Sequence, residues 1–494
     1  MNDEKSSNPI YPRLVRNWLS LAGLILAIGS FFAFVLLFAI DLMAKHGNPY
    51  MGILTYVVAP GFLFMGMSLI IGGVVLHRWH LRKGGPGAPP PRLTIDLARP
   101  QDKKLLAGFL VGTPVFLLLT AFGSHRTYQV SESVQFCGQA CHTPMKPEFV
   151  TYQNSPHARV ACVECHVGPG AAYYFKAKIN GVRMLHSTLV NSFERPIKTP
   201  IKNLRPAQET CEECHWPQKF VGNVERTYSH FLADETNTPF TVRMLLKVGG
   251  GEPSSGRTGG IHWHMNLGNK VEYMTADDQR QVIPWVRFTD QLGVVTEYRT
   301  PDFKGDPNPS AIRRMDCMDC HNRPAHHLRS PSEAVDLAMS VGRIDPAVPW
   351  VKSNAVAVLT QSYTNETEAL QSVASIFRSK YSSYPKIDAL VGEVQSIFRN
   401  NFFPEMKANW RVYPDNISHK NWAGCFRCHD GRHKTADGKR SIKASDCNSC
   451  HIILAQGSGK QLDQLNAQGL PFIHIDTEYS DFSCAECHTG AFVK

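Results

Sequence analysis

The first 136 residues contain no cysteine, and no cysteine anywhere in the chain stands alone. The first absence excludes a lipid-modified N-terminal cysteine. The second argues against the disulfide framework that 14 cysteines would suggest in a small secreted protein, because they fall into seven close pairs, each followed directly by histidine. The first apolar stretch also lacks the small-residue cleavage site and polar sequence that end a signal peptide. A second apolar stretch follows instead, so the first is expected to be an anchor.

Six of the pairs read C-x-x-C-H: Cys162/Cys165/His166, Cys211/Cys214/His215, Cys317/Cys320/His321, Cys425/Cys428/His429, Cys447/Cys450/His451 and Cys484/Cys487/His488. The seventh, Cys137/Cys141/His142, has three residues between its cysteines. Two cysteines alone could make a disulfide, half a zinc site or a redox pair. With histidine next, the spacing is that of covalent haem c: the thiols form thioethers to the vinyl groups and the histidine lies under the ring as an iron ligand. The reading is seven haems, with a disulfide as the alternative for Cys137 and Cys141. The expected fold class is a multihaem cytochrome c.

Three apolar stretches precede the motifs, at 19–43, 52–76 and 105–122. The first two exceed the roughly 20 residues needed to cross a bilayer core, and the third lies near the lower limit. None holds a histidine pair for a haem within the membrane. Lys5, Arg13 and Arg16 precede the first stretch, and Arg78, Arg82, Lys83, Arg92, Arg99, Lys103 and Lys104 follow the second, against Lys45 alone in the intervening loop. Positive charge marks the cytoplasmic side. Three transmembrane helices would therefore deliver everything after Gly123 to the periplasm, where c-type haems are attached. The net charge of +10 does not call for nucleic acid, because haem propionates would offset it and part of the excess sits beside the membrane.

The expected organisation is a three-helix anchor at 1–123 with a Pro/Gly-rich cytoplasmic loop at 84–101, a three-haem module at 124–220, a β-rich insertion at 221–316, and a four-haem domain at 317–494. The haem-bearing stretches are expected to be mainly α and irregular, apart from the insertion. Its strands are expected at 240–247, 260–265, 281–289 and 293–299. Helical spacing at Leu370, Val373, Ile376 and Phe377, and at Leu390, Val394, Ile397 and Phe398, predicts helices within 331–400.

The sixth iron ligand separates an electron carrier from a site open to substrate. Beyond the seven motif histidines, several others lie near motifs: His157 before Cys162, His327 after His321, His419 before Cys425, His433 after His429 and His474 before Cys484. These five and His230 are candidate distal ligands. His262 and His264 share one face of an expected strand, so only one should ligate, and His264 is taken. His125 and His326 are expected bystanders. Ligand supply thus favours carriers.

The stretch FCGQACHTPMKPEF…NSPHARVACVECHVGPG…CEECHW resembles the NapC/NirT family of membrane-anchored quinol dehydrogenases over about 125–220. Three spans with seven haems look like the larger inner-membrane cytochromes of that family from metal-reducing bacteria. The resemblance implies menaquinol oxidation near the first haem and transfer to a periplasmic multihaem cytochrome. Met145 matches the family methionine that ligates the first haem; with both spacings one residue longer here, the ligand stays open between His142 and Met145. His157 matches a distal histidine serving another haem. The family lysine at the quinol pocket falls on Lys178. The family acidic position is Leu185, with His186 beside it.

The residues of 173–190 agree with an interfacial site. Phe175, Ile179, Val182 and Leu189 recur at helical spacing with His186 on the same face, and Lys176, Lys178 and Arg183 add positive charge. Such a helix suits the headgroup boundary. Quinol oxidation also releases protons, for which histidine is a suitable acceptor. Two rival readings remain: a terminal reductase for nitrite, hydroxylamine or a sulfur oxyanion, with its pocket at Arg243, His262 and His264, and an electron-transfer subunit of a larger respiratory complex or homo-oligomer.

Overall fold

A computed structural model describes residues 18–43, 58–83, 98–100, a few positions between 103 and 111, 129–167, 171–201, 204–216, 220, 222–250, 259–266, 268–443 and 447–473. The chain forms two compact units: Met1–Phe136 with Cys162–Arg183, and Cys137–Ala161 with Met184–Lys494.

In the first unit, helices Trp18–Met43 and Ala59–Lys83 pack side by side. Among the described residues these two helices are long and apolar enough to cross a bilayer. The third expected span, 105–122, lies almost wholly outside the described residues, as does most of the 84–101 loop. Apolar side chains give no net drive to pair inside lipid, so close packing must supply it. Glycine allows that approach: a Cβ on Gly23 would lie 2.7 Å from both Gly66 O and Ile70 N, and one on Gly66 would lie 2.7 Å from Ala27 N. Ile28, Phe31, Phe32, Phe64, Ile71 and Val75 are exposed on this pair, as a lipid-facing surface requires.

Among its described residues, the second unit has a helical core and two antiparallel sheets. Helices Pro331–Ser340, Val351–Leu359, Glu366–Lys380 and Ile387–Asn401 bury Val335, Val358, Phe377, Val394 and Phe398 in one cluster. Local chemistry starts them: Ser330 Oγ accepts from Glu333 N at 3.3 Å ahead of Pro331, and Asn365 Oδ1 accepts from Glu368 N at 2.9 Å. Leu390, Val391, Val394, Ile397 and Phe398 form the buried stripe of the last helix.

One sheet orders β1 (Val224–Phe231), β2 (Pro239–Leu246) and β7 (His451–Gly457). The other orders β5 (Val295–Arg299), β4 (Trp285–Thr289), β3 (Lys270–Met274) and β6 (Arg313–Arg314). The strands of 221–316 are therefore joined to the C-terminal region, because β7 begins on the histidine of a haem motif. Residues Ile261–Met265, expected as a strand, form a 3₁₀ helix instead. Two glycines ahead of the turn explain the change: Gly260, directly before it, has φ +93° and Gly250 φ +129°, neither compatible with a continuous ladder.

Candidate functional site

The motifs repeat a small piece of geometry. The backbone N–H of His215 donates to Cys211 O at 2.7 Å, that of His321 to Cys317 O at 2.8 Å, and that of His429 to Cys425 O at 2.9 Å. Each closes one helical turn, with the imidazole following directly on the two thiols. Burial pushes the Cys317 thiol up to about 11, reinforced by the Cys211 thiol, and burial pushes Cys320 and Cys428 up to about 12. Burial thus favours the neutral form of these three thiols.

That sheltered character does not extend to every expected attachment thiol. Cys165 and Cys214, counted from the sequence as equivalent to the others, are exposed, as are Cys425 and Cys450, whereas Cys162 and Cys211 are half-buried. The difference is local. Cys165 lies in the five-residue helix Cys162–His166, which has no buried residue, and Cys214 follows the 3₁₀ turn Cys211–Glu213, which has none either. The motifs at Cys317 and Cys425 instead rest against the sheets, and there the second cysteines Cys320 and Cys428 are half-buried. The repeated spacing therefore fixes the turn but not the depth of its second thiol. Haem attachment at each of these cysteines, Cys165 and Cys214 included, is read from its place in the motif.

The sheets hold the deeper motifs in place. Asp319, inside the Cys317 motif, accepts from Tyr273 Oη on β3 at 2.5 Å and from Arg313 Nε at 3.2 Å. Arg427, inside the Cys425 motif, donates to Asp319 O at 2.6 Å and to Arg280 O at 2.9 Å, linking two motifs directly. Cys428 packs on the core made by Val271, Tyr273, Ile283 and Val286.

Among the described residues, four motif histidines face a second histidine. Ring centroids are 6.0 Å apart for His157 and His215, 6.2 Å for His262 and His321, 5.9 Å for His264 and His429, and 6.4 Å for His419 and His451. The interplanar angles are 70°, 2°, 90° and 30°. An imidazole nitrogen binds a metal at about 2 Å and its ring centre lies about 1 Å behind, so two rings trans across one iron stand about 6 Å apart. All four separations fit a haem iron between the rings.

Hydrogen bonds select the nitrogen that faces the gap. His157 Nδ1 is 3.2 Å from Pro324 O, His262 Nδ1 2.7 Å from Val248 O, His264 Nδ1 2.9 Å from Ile261 O, and His429 Nδ1 3.3 Å from Lys443 O. A metal-bound histidine uses its other ring N–H in this way, which leaves Nε2 for the metal. Burial also lowers the pKa of His264, His321, His429 and His451, favouring the neutral form that ligates.

Other expected ligands have different surroundings. His433 is fully buried with Nδ1 on Asp430 at 3.0 Å and Nε2 on Ile283 O at 2.7 Å, so both nitrogens are committed. His327 lies between Asp415 at 2.9 Å and Glu333 at 3.3 Å. Burial works to lower its pKa, but the hydrogen bonds and charges of those carboxylates raise it to about 9. Both rings are therefore engaged by protein groups at their two nitrogens. His230 bonds Asp336 at 3.2 Å, and no described motif histidine faces it. His326 contacts Glu148. His142 opens helix His142–Gln153, with Nδ1 3.2 Å from Thr143 Oγ1 and Met145 one turn on. His166 closes helix Cys162–His166. His474, Cys484, Cys487 and His488 lie outside the described residues, as does the Cys447 side chain. At the pocket suggested for a reductase, Arg243 pairs with Glu225 at 2.6 Å, and both histidines face motif histidines.

Lys178 lies on helix Ala171–Leu189, with Nζ 2.5 Å from Glu132 Oε1 and 3.1 Å from Ser131 Oγ. Ile179, Val182 and Leu189 are exposed on this helix. Sequence reasoning did not single out Glu132; an acidic residue between the last apolar stretch and the first motif was the available signal.

Residues 99–209 match the family described as NapC/NirT cytochrome c, N-terminal region. The chain is 38% identical over 490 residues to the cytochrome c-type protein ImcH of Geobacter sulfurreducens, an alignment covering 96% of this chain and 95% of that protein. No solved structure matches the chain.

Proposed function

The chain belongs to the NapC/NirT family of membrane-anchored c-type cytochromes, and from that premise we propose that it oxidises menaquinol at the outer face of the cytoplasmic membrane and relays the electrons through seven haems to a periplasmic multihaem cytochrome. Electron transfer and covalently bound haem c come with the family. The observation that carries the finer reading is the set of four opposed imidazole pairs, since two strong ligands close an iron to substrate and leave it an electron carrier. Bound haem c supplies one-electron redox centres.

The residues have separate tasks. The cysteine pairs would anchor the vinyl edges, the exposed Cys165 and Cys214 included, and each motif histidine would be an iron ligand. His157, His262, His264 and His419 would supply the second ligand at four of the haems. For the first haem the candidates are His142 and Met145. Lys178 donates a hydrogen bond to a quinol oxygen, held in place by the Glu132 carboxylate and Ser131, and His186 on the same helix accepts a released proton. The exposed apolar residues of that helix suit the acyl boundary from which the quinol comes. The two apolar N-terminal helices support an inner-membrane location, with the haem domain on the periplasmic side.

The test is anaerobic mixing of the oxidised, detergent-solubilised protein with a menaquinol analogue. The proposal expects rapid reduction of the haem absorbance with two electrons delivered per quinol. Haems that stay oxidised under excess quinol would overturn it.

A further inference from the structure

We propose that the short 3₁₀ helix Ile261–Met265 supplies the sixth ligand to two successive haems: His262 to the one attached at Cys317 and Cys320, and His264 to the one attached at Cys425 and Cys428. This rests on the reading that these motifs carry haem.

Two histidines separated by one residue would share a face on a strand. A 3₁₀ helix turns about 120° per residue, so His262 and His264 diverge. Their rings accordingly meet different partners, His321 at 6.2 Å and His429 at 5.9 Å. Each is fixed at Nδ1 by a backbone carbonyl, Val248 O for His262 and Ile261 O for His264, which leaves both Nε2 atoms for metal.

The turn is itself held firmly. Ile261 N donates to Lys247 O at 2.8 Å and His262 N to Gly249 O at 2.9 Å. Asn269 Nδ2 donates to Trp263 O at 2.9 Å, and the Trp263 ring packs on Phe288 of β4 with centroids 4.9 Å apart. A Cβ on Gly250 would sit 2.2 Å from the carbonyl carbon of His262, so only glycine permits this approach. Because one rigid turn carries both ligands, it sets the spacing of two haems whose motifs Arg427 already ties together.

The two ligand pairs differ in orientation, 2° between planes for His262 and His321 and 90° for His264 and His429. Near-parallel axial imidazoles give ferric haem a rhombic low-spin resonance, and perpendicular ones give a strongly anisotropic one. The arrangement therefore has a spectroscopic signature independent of activity.

The experiment is low-temperature electron paramagnetic resonance on the full-length protein and on His262→Gly and His264→Gly, with haem content checked by intact mass. Each variant should convert one low-spin haem to high spin: His262→Gly at the expense of rhombic intensity, His264→Gly at the expense of anisotropic intensity. Added imidazole should restore each. Where a glycine variant attaches fewer haems, the methionine replacement is read instead, and a raised midpoint potential at one haem is expected. Unchanged low-spin intensity in either glycine variant, loss of the same signal in both, or a methionine variant with unmoved potentials would overturn the proposal. Each of these failures leaves a haem-loaded protein that quinol can still reduce, so it is distinguishable from failure of the relay itself.

Discussion

The imidazole of His419 stands 6.4 Å from that of His451, and His451 is also the first residue of β7, paired in register with Leu246 of β2. Lys247 N donates to Cys450 O at 2.9 Å just beyond. A single strand end thus braces one haem motif on one side and leads into the turn bearing His262 and His264 on the other.

Removing His419 should open one iron. His419→Ala is expected to convert a single low-spin haem to a high-spin form that binds cyanide, measured by absorbance titration against wild type. His433→Ala serves as the contrast. It should leave the spin states unchanged while costing about 1–3 kcal/mol of stability, the penalty for unpairing buried hydrogen-bonding groups.

His327 makes stability depend on pH in a defined direction. Its folded pKa, about 9, lies above the ordinary 6.5, because Asp415 and Glu333 outweigh burial. Its contribution is complete below about 6.5 and is lost as pH rises through about 9. The difference in Tm between wild type and His327→Gln should be largest at pH 6 and vanish above pH 10. A difference that grows with pH would contradict this assignment.

The helix pair Trp18–Met43 and Ala59–Lys83 depends on close backbone approach at Gly23 and Gly66. Gly66→Leu should force these helices apart and lower the protein recovered in membranes several-fold, whereas Gly61→Leu, whose Cβ position meets nothing within 4 Å, should be tolerated. Quantitative immunoblotting of membrane fractions distinguishes the two.

If Lys178 binds a quinol oxygen, Lys178→Ala should raise the KM for a menaquinol analogue about tenfold, the worth of one charge-assisted hydrogen bond of about 1.4 kcal/mol. Haem content should not change. An unaltered KM would remove Lys178 from the site.

The attachment motifs were legible because thioether chemistry calls for cysteines and histidine within five or six residues, which sequence displays directly. How deeply each thiol sits was not, since the same spacing leaves Cys165 and Cys214 exposed and Cys320 and Cys428 half-buried against neighbours from distant segments. The helical core was legible for a local reason too: the spacing of Leu390, Val394, Ile397 and Phe398. Opposed ligands are not local. Nearness to a motif pointed to His157 and His419, which the structure brings to His215 and His451, but equally to His327 and His433, whose carboxylate and carbonyl partners include groups far off in the chain. His262 was set aside because a strand places alternate residues on one face, and the glycines that force a 3₁₀ turn there were read only as strand boundaries. The run HIILAQG at 451–457 was passed over because its pairing partner, β2, lies some 200 residues earlier.

The most direct test is a spin-state census of the oxidised full-length protein by electron paramagnetic resonance, normalised to haem content from intact mass. Seven covalent haems are predicted, at least four of them low-spin and unreactive towards cyanide. Far fewer haems per chain, or cyanide-binding high-spin haem at the motifs of His215, His321, His429 or His451, would contradict the account.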